Sequence, residues 1–405
     1  MVFGPGGPGD SGVDRIVGKG NMDRFSDTLR SRFDIVSFDP RGVGLSNPIR
    51  CSQALLDRRP SPVMKSRAEF DATVKYNREL REDCRKNTEH GLFDHVDTLS
   101  TVQDLDAVRA ALGEKSLTFH GSSYGTLLGE QYAERYPKRV RAVVLEAVVD
   151  HSLGTRRFLS TQGATLQDSF DEFVAWCGRT RSCALHGSDV RAVWADLLDR
   201  AERGKLSDNG RAVTPFDLNV AVMKQLYDPE WATLGEFLRR LAGSAPESAK
   251  PAGANGTRAE PALGTNAFEI FCQDWSLPVH GYEGYARELR RVGKVAPDMK
   301  YARALMSVSA CLGAPAPGNP QHRLKVRGSR PLLLTNSLHD PASGYNWATH
   351  VADQLGSSAV LHTYEGWGHG TYTSSPCAQK AVDAYLISLK LPARGASCPA
   401  VEPTG

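Results

Sequence analysis

The pentapeptide Gly121-Ser122-Ser123-Tyr124-Gly125 constrains this chain more than any other feature, because it sets a serine inside Gly-x-Ser-x-Gly between an apolar strand and a helix. A serine on so sharp a strand-to-helix bend has strained dihedrals and leaves no room for bulky neighbours, so the flanking glycines are required by sterics. Ser123 is framed correctly and Ser122 is not. The pentapeptide alone arises by chance, so its surroundings decide. Residues 115–119 read as a short buried strand that follows a helix with apolar positions Val102, Leu105, Val108 and Leu112. Ser100 and Gln103 suit a capping box for that helix, and Gly113 suits its end. Downstream, Leu127, Leu128, Tyr132 and Tyr136 line a second helix that stops at Pro137, before residues 141–145 supply the next strand. The serine therefore occupies the position of a nucleophile elbow.

Alternation of strands and helices fills the first part of the chain, with strands at 2–3, 33–38, 117–120 and 141–145, which predicts an α/β class and a mostly parallel sheet flanked by helices. The pattern becomes helical from about 154 to 325, where Leu166, Phe170, Phe173 and Cys177 fall on one face and Val190, Val193, Trp194, Leu197 and Ala201 on another. We read an inserted helical cap at 154–325, between core segments at 1–153 and 326–405. Within it, residues 244–266 are rich in Ala, Gly, Pro and Ser and read as an exposed loop. Strands return at 331–335 and 359–364, and a last helix at about 377–389 is expected to cover the sheet.

A serine hydroxyl needs a general base and a carboxylate that fixes the base's tautomer. In a fold of this kind the chain order is serine, acid, histidine. Asp340 follows a late strand, and His369 follows the last one in Gly368-His369-Gly370, which predicts Ser123, Asp340 and His369 as the catalytic set. Asp150, after the strand that succeeds the elbow, competes for the role of acid, whereas His339 and His362 are weaker competitors for the base. Oxyanion donors are expected from the amide of Tyr124 and from the glycine-rich loop 4–12, with Gly7 as the donor. Its prolines and the absence of a following Lys-Ser/Thr pair argue against a phosphate cradle.

The formal net charge of +3 and the absence of a basic run with interleaved aromatics point to neither nucleic acid nor an anionic membrane surface as partner. No apolar stretch is long enough to span a bilayer. The eight cysteines fall as neighbours, Cys51 with Cys84, Cys177 with Cys183, Cys272 with Cys311 and Cys377 with Cys398. Their spacing fits no zinc knuckle, so no metal and no cofactor is expected. Sequential disulfides in an exported protein are the preferred reading, and buried thiols in a cytosolic enzyme the alternative. Export calls for a signal peptide, yet the chain opens on an apparent strand without one, so the N-terminus reads as incomplete.

Together, Gly6-Gly7-Pro8-Gly9, Asp39-Pro40-Arg41-Gly42, the Ser123 elbow, Asp340-Pro341 and Gly368-His369-Gly370 resemble the tripeptidyl aminopeptidases and proline iminopeptidases of the α/β-hydrolase superfamily. The resemblance covers nearly the whole chain, and the cysteine placement, with Cys272 inside residues 269–275, looks like the tripeptidyl branch. It implies an α/β-hydrolase fold and a secreted serine exopeptidase that takes short peptides or single residues from free N-termini, with acidic cap residues meeting the substrate's ammonium. Glu269 and Asp274 are the candidates for that contact. The resemblance also implies two strands before the glycine-rich loop, so residues 35–38 would form an uncovered edge. The chain departs from the family at Gly4, where Asn is usual, at Asp10, where Gly is usual, and at Ser343-Gly344, where Thr-Pro is usual. The same residues suit a carboxylesterase or lipase-like hydrolase, and a fragment that holds no working triad is the third reading.

Overall fold

The computed structural model describes residues 1–18, 20–243 and 262–404. Among these, seven strands form one sheet: β1 (Val2–Gly4), β2 (Val36–Ser37), β3 (Leu117–Ser122), β4 (Val140–Glu146), β5 (Leu332–His339), β6 (Ala359–Trp367) and β7 (Ser397–Cys398). Their spatial order is β7-β6-β5-β4-β3-β1-β2, and every neighbouring pair is parallel. A parallel sheet is covered on both faces, which is why its strands read as continuous apolar runs. Ala142, Val144 and Leu333 pack with Val382, Tyr385 and Leu386 of the helix Pro376–Ser388 on one face. Val143, Leu145, Leu332 and Leu334 pack on the other with Leu128 and Tyr132 of Gly125–Arg135 and with Ala348 and Val351 of Tyr345–Leu355. The loops that carry Gly7, Ser123, Asp340 and His369 each leave the C-terminal end of one of these strands, where open α/β sheets bind their ligands.

Several local expectations need correction. The helix before β3 runs Thr98–Ala111 and is capped by Asp97, whose carboxylate accepts from the Ser100 amide at 2.8 Å, so Ser100 lies inside the helix and not at its cap. Only Val36–Ser37 of the expected 33–38 strand is paired, and it forms one edge of the sheet. The Gly/Pro/Ala-rich stretch falls mostly outside the described residues, but its end does not behave as a loop. Leu263–Thr265 pairs antiparallel with Arg50–Ser52, and Asn266 is buried. Ala262, Leu263 and Thr265 are exposed, as composition suggested, but the backbone pairing to a distant segment was invisible in it.

Between β4 and β5 the described residues are mainly helical, beginning with Thr155–Arg179 and including Val190–Glu202, Trp231–Gly243, Phe268–Asp274, Gly281–Val295 and Ala304–Ala310. These helices share an aromatic core in which Trp231 meets Phe173 and Trp176 edge-on, with centroids 6.0 and 5.8 Å apart. The cysteines pair as Cys51–Cys84, Cys177–Cys183, Cys272–Cys311 and Cys377–Cys398, and no cysteine is free. The longest-range of these, Cys272–Cys311, spans 39 residues and joins the helix Phe268–Asp274 to the end of Ala304–Ala310. No helix of the described residues is long and apolar enough to cross a membrane.

Candidate active site

Ser123 sits on the turn between β3 and the helix Gly125–Arg135 with φ of 54°, a left-handed conformation that a non-glycine residue adopts only under constraint. The constraint is visible. Its amide donates to the Glu146 carbonyl at 2.8 Å, and its own carbonyl accepts from the Thr126 amide at 2.9 Å and the Thr126 hydroxyl at 2.7 Å. The two flanking glycines answer to close packing: a Cβ on Gly121 would lie 2.4 Å from the Gly125 carbonyl oxygen, and one on Gly125 would lie 2.5 Å from that of Gly4.

The loop after β1 lies directly on this turn, since a Cβ on Gly6 would meet the Ser123 Cβ at 2.9 Å. Gly7 follows with φ of 111°. The loop is anchored from below by Asp39, whose carboxylate accepts from the Ser11 hydroxyl at 2.6 Å and from the amides of Val13 and Leu45 at 3.0 and 2.7 Å. Arg41 in turn grips Asp104 through two contacts of 2.7 and 2.6 Å. These bonds explain why an Asp-Pro-Arg-Gly turn accompanies the glycine-rich loop. Among the described residues neither the Gly7 nor the Tyr124 amide is committed to a backbone acceptor, so both remain available to a ligand.

His369 leaves the end of β6 between Gly368 and Gly370, which have φ of 99° and 123°. Its Nδ1 lies 3.0 Å from each oxygen of Asp340, at the end of β5. Asp340 Oδ1 also accepts from the amides of Ala342 and Ser343 at 2.8 and 2.9 Å. A carboxylate so supplied with donors keeps the proton on Nδ1 and leaves Nε2 as the basic nitrogen. Burial disfavours the imidazolium, but the Asp340 charge and hydrogen bond outweigh it and raise the His369 pKa. The Tyr227 ring lies against the imidazole at 4.6 Å, and the Tyr227 carbonyl receives the His369 amide at 2.8 Å. Among the described residues the hydrogen bonds of the His369 ring go to Asp340 and none to the Ser123 hydroxyl; a base and its nucleophile commonly tighten their contact when substrate binds.

Glu146, which the sequence reading passed over, ties the two loops together. It ends β4, pairs in register with Ser122, and gives its carbonyl to Ser123. Its buried carboxylate accepts from the amides of Thr371 and Tyr372, both at 2.7 Å, and faces His120 Nε2 at 2.9 Å. Desolvation alone would raise its pKa, yet the His120 contact and the two amides lower it to about 2. A fixed anion therefore anchors the segment just past His369 beneath the serine turn. The available signal was an acidic residue closing the apolar run Val143-Val144-Leu145.

The remaining expected site residues lie elsewhere. Asp150 is buried against His350, with a 2.5 Å contact, and accepts from Ser152, so it does not serve His369. His339 pairs with Asp168 at 2.8 Å, and His362 contacts the Ala396 carbonyl and Cys398 Sγ at 3.0 and 3.2 Å. The expected ammonium ligands need correction, because the helix Phe268–Asp274 turns both carboxylates behind the cavity wall. Glu269 is paired with Arg81 at 2.6 Å and bonded by Gln273, and burial raises its pKa to about 7. Asp274 accepts from Thr98, Asn319 and the Tyr124 hydroxyl, the last at 2.6 Å, and burial raises its pKa to about 6. Asp274 thus holds the residue after Ser123 from behind.

Ser123 and Tyr124 open on a cavity of about 350 Å³, walled largely by Phe158, Phe271, Trp275 and Trp347. Asn266 and Arg59 also line it, although composition had assigned Asn266 to a loop. Largely aromatic walls with a few polar groups suit the binding of a small organic segment next to the serine.

Comparison with known proteins agrees with this geometry. The family described as alpha/beta hydrolase fold matches residues 1–372. Serine protease Hip1 of Mycobacterium tuberculosis is 31% identical in an alignment covering 98% of this chain and 80% of that protein. A tripeptidyl aminopeptidase of Streptomyces lividans is 29% identical over 98% of this chain and 76% of its own length. A Mycobacterium tuberculosis protein called carboxylesterase B is 31% identical over 98% of this chain and 79% of its own length.

Proposed function

This chain belongs to the alpha/beta hydrolase fold family, and from that premise we propose that it is a serine peptidase working through an acyl-enzyme. The observation that carries the reading is His369 Nδ1 held 3.0 Å from both oxygens of Asp340, on a loop anchored by the same Glu146 that receives the Ser123 amide. Ser123 Oγ attacks the peptide carbonyl while His369 Nε2 takes its proton, and the oxygen that gains charge is met by the amides of Gly7 and Tyr124. The imidazolium returns the proton to the leaving amine as the C–N bond breaks. Water, deprotonated by the same nitrogen, then attacks the ester and releases Ser123.

The peptide substrate class is supported by relatives called a serine protease and a tripeptidyl aminopeptidase. The second of these supports the finer proposal, release of short segments from free N-termini. Four disulfide pairs support action outside the cytosol, where such bonds persist. The test is hydrolysis of aminoacyl and tripeptidyl amides with free and with acetylated N-termini, beside simple esters. Faster release from the free amines is expected; equal rates on both remove the exopeptidase reading, and turnover of esters alone moves the assignment to a carboxylesterase.

A further inference from the structure

Two arginines, Arg59 and Arg303, line the Ser123 cavity, and among the described lining residues there is no Asp or Glu. Arg59 donates to a neutral acceptor, Asn266 Oδ1, at 3.1 Å, and its guanidinium lies 5.1 Å from the centroid of the Phe268 ring. No carboxylate pairs with it among the described residues, and burial lowers its pKa. A cation partly withdrawn from water costs free energy until an anion meets it. Arg303 likewise has no ion-pair partner among the described residues. It lies beside the Tyr227 hydroxyl, whose ring packs on His369, so its charge falls on the side of the cavity where the chemistry takes place.

Four described acids near these elements are committed. Asp340 serves His369, Asp10 pairs with Arg15 at 2.5 Å, Glu269 pairs with Arg81, and Asp274 is held by Thr98, Tyr124 and Asn319. Among the described residues, therefore, no carboxylate neutralises either guanidinium. The aromatic rings that line the cavity beside these groups displace part of the water around them, and charge interacts more strongly where less water is present. Arginine also offers paired N–H donors that match a carboxylate in geometry.

We propose that Arg59 and Arg303 form a carboxylate-recognising subsite of the Ser123 cavity, so that the preferred substrate is a peptide carrying an acidic group. The proposal rests on the serine peptidase reading and narrows it. The carboxylate comes either from an acidic side chain in the acyl segment or from the free C-terminal carboxylate of a short peptide, and the same charge disfavours a lysine there.

Two arms separate these sources in the purified full chain. One uses tripeptide p-nitroanilides with Glu, Gln or Lys placed in turn at each of the three positions; the other uses tetrapeptides ending in a free acid or an amide. In one arm the acidic member is expected to exceed its neutral counterpart in kcat/KM by about tenfold to a hundredfold, the range for a hydrogen bond to a charged group. Arg59→Gln and Arg303→Gln should each draw that ratio toward one, with thermal unfolding showing that the variant is folded. If Arg59→Gln does not fold, Arg59→Lys and Arg303→Gln carry the comparison. An acid-to-neutral ratio of one or less in both arms, or a ratio unchanged by both arginine substitutions, overturns the subsite. If no peptide is hydrolysed, the peptidase reading fails separately, and calorimetric binding of the same Glu and Gln peptides decides the subsite: tenfold tighter binding of Glu supports it and equal binding overturns it.

Discussion

At the rim of the sheet, polar groups are fixed by backbone amides and buried carboxylates, whereas the helices between Glu146 and Leu332 that wall the cavity are held chiefly by aromatic rings. Asp340 takes two amides besides His369, and Glu146 takes two amides besides His120. Across the cavity, Phe271 and Trp275 stack at 5.3 Å and Phe158 meets Trp275 at 5.0 Å. Directional bonds constrain angle as well as distance, and apolar contacts set volume. The contrast implies that changes at the rim act on the chemical step and changes in the wall act on which substrate is held.

The comparison is broken most sharply at Ser123. Ser123→Ala should lower kcat by about a millionfold on the subtilisin precedent, with the unfolding transition unmoved. Asp340→Asn should cost about ten-thousandfold, because the amide presents the wrong partner to Nδ1. It should also move the acid limb of kcat/KM. Catalysis needs neutral His369, so activity falls as the pH drops through its pKa; with that pKa raised, the limb lies above the ordinary 6.5 in the wild type and at lower pH in the variant. Stopped-flow or steady-state pH profiles of both proteins measure the difference.

Glu146→Gln separates positioning from bond-making. The amide weakens hydrogen bonds to a charged acceptor, each worth about 1.5–3 kcal/mol, a loss read by denaturant unfolding. Because the folded carboxylate titrates at about 2 against an ordinary 4.5, its stabilisation is complete above 4.5 and is lost as the pH falls through 2, so the variant should unfold with a flatter acid dependence in that window. The smallest effect belongs to the wall: Phe271→Ala should raise KM by roughly tenfold with kcat changed far less, in proportion to the apolar contact removed.

Residues set by local rules were readable from the chain. The sharp turn at Ser123 announces itself through the glycines it requires, and the pairing of His369 with Asp340 through their places after strands. The disulfide pairing also followed simple adjacency. What escaped was set by contacts between distant segments. Glu146, one residue beyond the expected strand 141–145, drew no attention because only the distant Thr371 and Tyr372 amides give it a role. Asn266 looked like part of a loop until Leu263–Thr265 paired with Arg50–Ser52. Glu269 and Asp274 seemed suited to an ammonium because an acidic residue on a helix carries no mark of the direction it faces. Asp97 displaced Ser100 as a cap because both residue types satisfy a helix N-terminus and one sequence position cannot choose between them.

The central claim is that one hydroxyl in this chain is activated, and covalent labelling reads that directly. After incubation with a fluorophosphonate, peptide mass spectrometry should find a single adduct on Ser123, with Ser122 unmodified and labelling lost in His369→Ala. An adduct on another residue, or none on a folded protein, would contradict the account.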